Sequence, residues 1–257
     1  MKLKTEYVEK PWGRTLLPRI FASQPGRRIG EIWFEADRSL PLLVKFLFTS
    51  EKLSVQVHPD DEQARNRGLP RGKAECWYVL DAEADATIGL GLKQPLAREE
   101  LKRAAFDGSI MAAMEWRPVR AGDFLYIPPG TIHAIGEGIS LLEVQQNSDV
   151  TYRLYDYGRP RELHLEDGVA VSTLDPYPEQ LAQHVEDNEE RILVDGPRFT
   201  LVHALSDRLQ DRTRWILPLK GSVRCDGETA SAGEGLLLNP GDTLTVEGAS
   251  LLIAAAC

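Results

Sequence analysis

The segment Leu53-Ser54-Val55-Gln56-Val57-His58-Pro59-Asp60-Asp61 most constrains what this chain can fold into. Leu53, Val55 and Val57 alternate with Ser54, Gln56 and His58. A period of two is a strand, with apolar side chains on one face and polar ones on the other. Pro59 has no N–H to give a ladder, so the strand ends there. Gln56 and His58 share the polar face and converge at the strand's end. A metal ligand pair is one reading and a wet edge strand is the other.

At 257 residues the chain can bury one large core or two small ones. A formal net charge of −9 argues against a nucleic-acid partner, which needs a basic face. Cys76, Cys225 and Cys257 are widely spaced, with no CxxC. That fits a reducing, cytoplasmic setting and neither a disulfide framework nor a cysteine zinc site. The amino terminus carries no apolar signal region, and no apolar run reaches membrane-span length, so no membrane partner is expected.

Along the chain, Lys10-Pro11-Trp12-Gly13 reads as a turn, and Ile29 to Phe34 and Leu42 to Phe48 as strands. Lys45 interrupts the second of these, as an edge or snorkelling lysine or, less simply, as an anion ligand. A helical turn is expected after Asp60, and a strand over Lys73 to Leu80 with Lys73, Glu75 and Trp77 on one face. Ala97 to Phe106 and Ser109 to Trp116 predict a small helical insertion, about residues 95–116. Strands are predicted again at Phe124 to Ile127, from His133, over Ser140 to Gln145 and over Thr151 to Tyr155. The polar stretch 176–190 reads as a linker between a first domain, 1–175, and a smaller one, 191–257.

A weak internal repeat links the two parts. Ala121-Gly122-x-x-Leu125-x-x-x-Pro129-Gly130 recurs as Ala232-Gly233-x-x-Leu236-x-x-x-Pro240-Gly241. With a one-residue gap, Gly138-x-x-Leu141-Leu142 recurs as Gly248-x-x-Leu251-Leu252. His133 then falls on Leu244 and Glu143 on Ile253, which makes the second copy a ligandless version of the first.

Gln56, His58, Glu75 and His133 form a candidate metal set. Two imidazoles and a carboxylate suit a divalent metal with a position open to water or substrate. Their placement at strand ends and turns fits a mainly β fold, a small barrel with a metal at its mouth. Glu143 and the stretch Gln145 to Arg153 belong near the same mouth by pattern, although composition alone favours a polar loop and a surface arginine.

These blocks resemble the type I mannose-6-phosphate isomerases, which are cupins. The match runs through Lys10-Pro11-Trp12-Gly13, Ile29 to Trp33, Leu53 to Asp61, Gly72 to Tyr78, Pro129 to Ala134 and Glu143 to Arg153. The resemblance implies a jelly-roll fold and one zinc ion held by Gln56, His58, Glu75 and His133. It implies catalytic roles for Arg153, Lys73 and Glu143, with Lys45, Lys73 and Arg153 toward a sugar phosphate. The implied activity interconverts mannose 6-phosphate and fructose 6-phosphate. An iron-dependent cupin oxygenase and a non-catalytic sugar-phosphate-binding regulator are the alternatives on the same ligands. A monomer or weak homodimer is expected.

Overall fold

The structure is a computed structural model that describes residues 1–35 and 39–257. Its strands run β1 (Lys4–Arg14), β2 (Ile29–Glu35), β3 (Leu42–Phe48), β4 (Val55–Val57), β5 (Glu75–Ala82), β6 (Thr87–Leu92), β7 (Met114–Pro118), β8 (Asp123–Ile127) and β9 (His133–Ile135). They continue as β10 (Ile139–Gln146), β11 (Tyr152–Tyr155), β12 (Ala182–His184), β13 (Arg191–Asp195), β14 (Phe199–Ala204), β15 (Arg214–Cys225), β16 (Glu228–Ser231), β17 (Leu236–Leu238) and β18 (Thr245–Ala256). Among the described residues four helices, α1 (Asp61–Arg65), α2 (Arg98–Asp107), α3 (Ile110–Ala113) and α4 (Leu165–Val171), complete the main elements.

Among the described residues the strands form three antiparallel sheets, and the fold is mainly β as the alternation predicts. A seven-stranded sheet runs β1-β2-β3-β10-β5-β8-β12, and a five-stranded sheet runs β11-β4-β9-β6-β7. Leu47, Trp77, Val79 and Leu141 of the first pack on Ile88, Leu90 and Ile135 of the second, so the two close around one core. The third sheet, β13-β14-β18-β15-β16, lies against the back of the first. Strand β10 shows how the layers join. Leu142 and Val144 face Leu201, Trp215 and Leu252 of the third sheet, while Leu141 on the opposite face packs inside the barrel. Period two thus delivers Glu143 and Gln145 inward, and all eight residues of β10 are buried.

Three local expectations change. Lys10 to Gly13 lie within β1, where the pairing with β2 breaks register between Glu9 and Arg14, so an irregular strand replaces the turn. Only Ile110–Ala113 of the second predicted helix is helical. Met114–Pro118 is a strand, because Trp116 pairs with Gly89 on β6 and tertiary pairing overrides local helix preference. Lys45 sits on an interior strand and is buried, not at an edge. Within 176–190, Ala182–His184 pairs with β8.

Candidate metal centre

The turn after β4 begins the site. Asp60 caps α1 by accepting from the Gln63 N–H at 2.8 Å, and the Gln63 side chain accepts from the Asp60 N–H at 2.9 Å. This reciprocal pair fixes the chain after His58-Pro59. Lys73 N–H then donates to the Pro59 carbonyl at 3.0 Å, and Gly72 N–H donates to Asp61 Oδ1 at 2.8 Å. A side chain at Gly72 would lie 2.5 Å from the Pro59 carbonyl oxygen, so only glycine allows this approach. The contact delivers Glu75 at the start of β5 beside His58.

His133 starts β9, the neighbour of β4 in the five-stranded sheet, whereas Glu75 comes from the seven-stranded sheet. His133 follows the Pro128-Pro129-Gly130-Thr131 turn, where Gly130 takes φ +86° and donates its N–H to the His58 carbonyl at 2.8 Å. The ligand atoms of His58, Glu75 and His133 all lie within 4.8 Å of one another, and all three residues are buried. His58 Nε2 is 3.5 Å from Glu75 Oε2, and His133 Nε2 is 3.4 Å from Glu75 Oε1.

Both imidazoles are aimed by hydrogen bonds on the far side of the ring. His58 Nδ1 bonds the Val150 carbonyl and His133 Nδ1 bonds the Thr131 carbonyl, each at 2.9 Å. A carbonyl only accepts, so Nδ1 carries the proton on each ring and Nε2 keeps a lone pair toward Glu75. His133 Nε2 is buried with no hydrogen-bond partner. Burial, with the Lys73 ammonium beside it, pushes His58 down to about 3, and burial lowers His133 as well. Burial works against the Glu75 charge, yet the Lys73 ammonium 2.7 Å away holds that carboxyl well below its usual range. Two neutral imidazoles and one carboxylate are the protonation states in which these groups ligate a metal. The orphaned Nε2 and the donor chemistry both fit a divalent cation.

The other sequence candidates fall into two rows around this cluster. Across the five-stranded sheet, Arg153 pairs with Gln56, and Gln56 with His133. Arg153 is therefore a half-buried strand residue, not a surface arginine. Its Nη1 donates to the Glu162 carbonyl at 2.7 Å, while its buried Nε has no partner. Across the seven-stranded sheet, Glu143 stands between Lys45 and Trp77. Glu143 Oε2 accepts from Trp77 Nε1 at 3.1 Å, and its Oε1 lies 3.2 Å from Lys45 Nζ and 3.8 Å from Lys73 Nζ. Lys73 Nζ lies 2.7 Å from Glu75 Oε2, which joins the row to the cluster. Burial raises the Glu143 carboxyl, Lys45 opposing and Glu75 adding to the effect. Gln145 and Gln146, expected in a polar loop on composition, end β10 and are buried.

Sequence reasoning missed Glu31 as a site residue. It is buried on β2, ion-paired with Lys45 at 3.3 Å and Lys10 at 2.9 Å. The available signal was Lys45 itself, since a lysine in an apolar run needs a buried carboxylate.

Fold and site together define a β-barrel protein whose His-Glu-His cluster, lined by alternating charge, could hold a metal ion. Residues 17–90 match the catalytic domain of type I phosphomannose isomerase. The chain is similar to the mannose-6-phosphate isomerase ManA of Bacillus subtilis, 37% identical over 229 residues that span 73% of this chain and 72% of that protein. It is 42% identical over 171 residues to a mannose-6-phosphate isomerase of Streptococcus mutans, covering 63% of this chain and about half, 53%, of that one. The crystal structure of a Bacillus subtilis mannose 6-phosphate isomerase superposes with TM-score 0.83 at 28% identity, covering 98% of each chain. The chain belongs to the type I phosphomannose isomerase family.

Proposed function

We infer that this protein is a metal-dependent isomerase that interconverts mannose 6-phosphate and fructose 6-phosphate. The observation that carries this is the buried His58, Glu75 and His133 cluster with both imidazoles presenting Nε2, in a chain of this family. Those three residues, with Gln56 beside His133 in the ladder, would hold one zinc ion, whose donor preference they match. Bound there, the metal supplies Lewis acidity at a sugar oxygen.

Aldose–ketose isomerisation moves a proton between C1 and C2 through an enediol, and the chain's own residues carry the proton and the charge. Arg153 stabilises negative charge on the C1 and C2 oxygens as it develops. Lys73 moves protons between those oxygens. Glu143, whose carboxyl is raised by burial, acts at carbon. Lys45, Lys73 and Arg153 provide the positive charge that attracts a sugar phosphate to a protein of net charge −9. Catalysis is assigned to residues 1–175, with 191–257 as the region packed behind them.

Purified protein is to be assayed for conversion of fructose 6-phosphate to mannose 6-phosphate, with chelator and after zinc is returned. Turnover lost with chelator and restored by zinc is expected. No turnover with zinc present overturns the reading. Oxygen consumption with iron would replace it with the oxygenase.

A further inference from the structure

Strand β11 ends at Tyr155, and the chain then folds back on it. Tyr157 and Gly158 make the turn in the left-handed region, at φ +54° and +77°. The loop returns to β11 at His164, whose N–H donates to the Arg153 carbonyl at 2.7 Å and whose Nδ1 accepts from the Arg153 N–H at 3.2 Å. Between these points lie Arg161, Glu162 and Leu163, all exposed. Yet this stretch supplies the Glu162 carbonyl that accepts from Arg153 Nη1 at 2.7 Å. A long guanidinium side chain is placed only as well as its anchor is, so the anchor must itself be held.

Asp156 holds it. This carboxylate is 2% exposed and stands at the root of the loop, directly after β11. Its Oδ2 accepts from Arg161 Nε at 2.5 Å and its Oδ1 from Arg161 Nη2 at 2.6 Å, a bidentate fork. Arg159 Nη1 donates to the same Oδ1 at 3.3 Å and to the Lys52 carbonyl at 2.9 Å, and its Nη2 donates to Glu51 Oε2 at 3.0 Å. The loop is thereby tied both to its own root and to the chain that leads into β4. Arg161 is the neighbour of Glu162, so the fork fixes the backbone whose carbonyl holds Arg153. A buried carboxylate costs stability unless charge and hydrogen bonds meet it, and here both come from the loop.

We propose that Asp156 is a positioning residue for Arg153: its fork to Arg161 sets the Glu162 carbonyl, and that carbonyl holds the guanidinium in the place where it meets the substrate oxygens. This rests on the isomerase reading. Without the fork, Arg161 turns to solvent, the exposed stretch loosens and the guanidinium loses its anchor.

The test is Asp156→Asn and Arg161→Met, each made in the wild-type chain and in Arg153→Ala, and assayed as zinc-loaded full-length protein. In the wild-type chain each is expected to lower kcat about tenfold, because a small displacement of a catalytic group is costly, with KM within about threefold and zinc content unchanged. In the Arg153→Ala background the same changes are expected to cost less than about twofold, because no guanidinium is left to place. A kcat within about twofold of wild type for either variant, equal losses in both backgrounds, or a loss that follows zinc content overturns the proposal. Arg161 is exposed, so Arg161→Met carries the test if Asp156→Asn does not fold. Turnover by the wild-type chain tests the isomerase reading alone. Crystal structures of the variants test the positioning without turnover. Arg153 Nη1 beyond hydrogen-bond reach of the Glu162 carbonyl supports it, and that bond retained in the variants overturns it.

Discussion

The two copies of the internal repeat build similar turns from different contents. Gly122, Gly130 and Gly138 of the first take φ of +89°, +86° and +79°, and Gly233, Gly241 and Gly248 of the second take +86°, +88° and +57°. The second copy puts Leu244 and Ile253 where the first has His133 and Glu143, and both belong to one apolar cluster. Each such side chain contributes about 1.5–3 kcal/mol by burial. The polar pair of the first copy is buried at comparable depth and has its burial opposed by desolvation. One frame is therefore used twice, once to stabilise and once to hold a site. The copies also join physically, since Leu142 and Val144 next to Glu143 pack on Leu252 and Trp215.

The comparison breaks most visibly if the site residue is exchanged for its counterpart. His133→Leu installs the second copy's residue at the equivalent position of the first. Metal content is expected to fall below a tenth of wild type and turnover by about 10³-fold or more, since loss of a metal's Lewis acidity is worth several kcal/mol. Tm is expected to move by only a few degrees. Metal analysis showing a loaded variant would end the assignment of His133.

Arg153→Ala comes next. Removing a charge that faces a developing oxyanion costs about 10²–10³-fold in kcat. Near-wild-type turnover in a variant with normal circular dichroism would remove Arg153 from the chemistry. The reverse exchange, Ile253→Glu, tests the second copy. A carboxylate there has no cation arranged for it, and an uncompensated buried charge costs about 3–5 kcal/mol. Urea denaturation should show that loss. A cost under about 1 kcal/mol would mean that the second copy tolerates charge and that the contrast is not one of packing.

Much of this was legible because alternation is a direct record of which face a residue takes. His58 and Gln56 could be placed on the polar face of β4, and Glu75 with Trp77 on one face of β5, from the sequence alone. What was not legible depended on partners distant in sequence. Glu31 reads as an ordinary polar position in a strand, and nothing local distinguishes a solvent face from a barrel interior. Lys10 to Gly13 carry turn residues, yet they lie within β1 as an irregularity between Glu9 and Arg14, which both pair with Ile29, and Met114 to Trp116 carry helix formers yet lie in a strand paired with β6. Lys45 misled for the same reason. Its burial is set by Glu31 and Glu143 on the neighbouring strands, outside any local window.

The smallest expected effect concerns Glu31, which lies outside both copies and meets Glu143 of the first through Lys45. Burial raises the Glu31 carboxyl, but Lys45 and Lys10 outweigh it and bring the group from about 4.5 down to about 2. With the folded value depressed, the unfolded chain takes up the proton first as pH falls. The stabilisation is whole above about pH 4.5 and is lost as pH falls toward about 2. At about 1.4 kcal/mol per pH unit, the full span is worth about 3 kcal/mol, and the part between pH 6 and pH 3 about 2 kcal/mol. Glu31→Gln removes this group from the titration. Its unfolding free energy should therefore fall about 2 kcal/mol less than that of wild type between pH 6 and pH 3, with the metal ligands titrating in both. Parallel pH curves for the two proteins would show that Glu31 is not held ionised by Lys45 and Lys10, and the buried row would then lose its electrostatic basis.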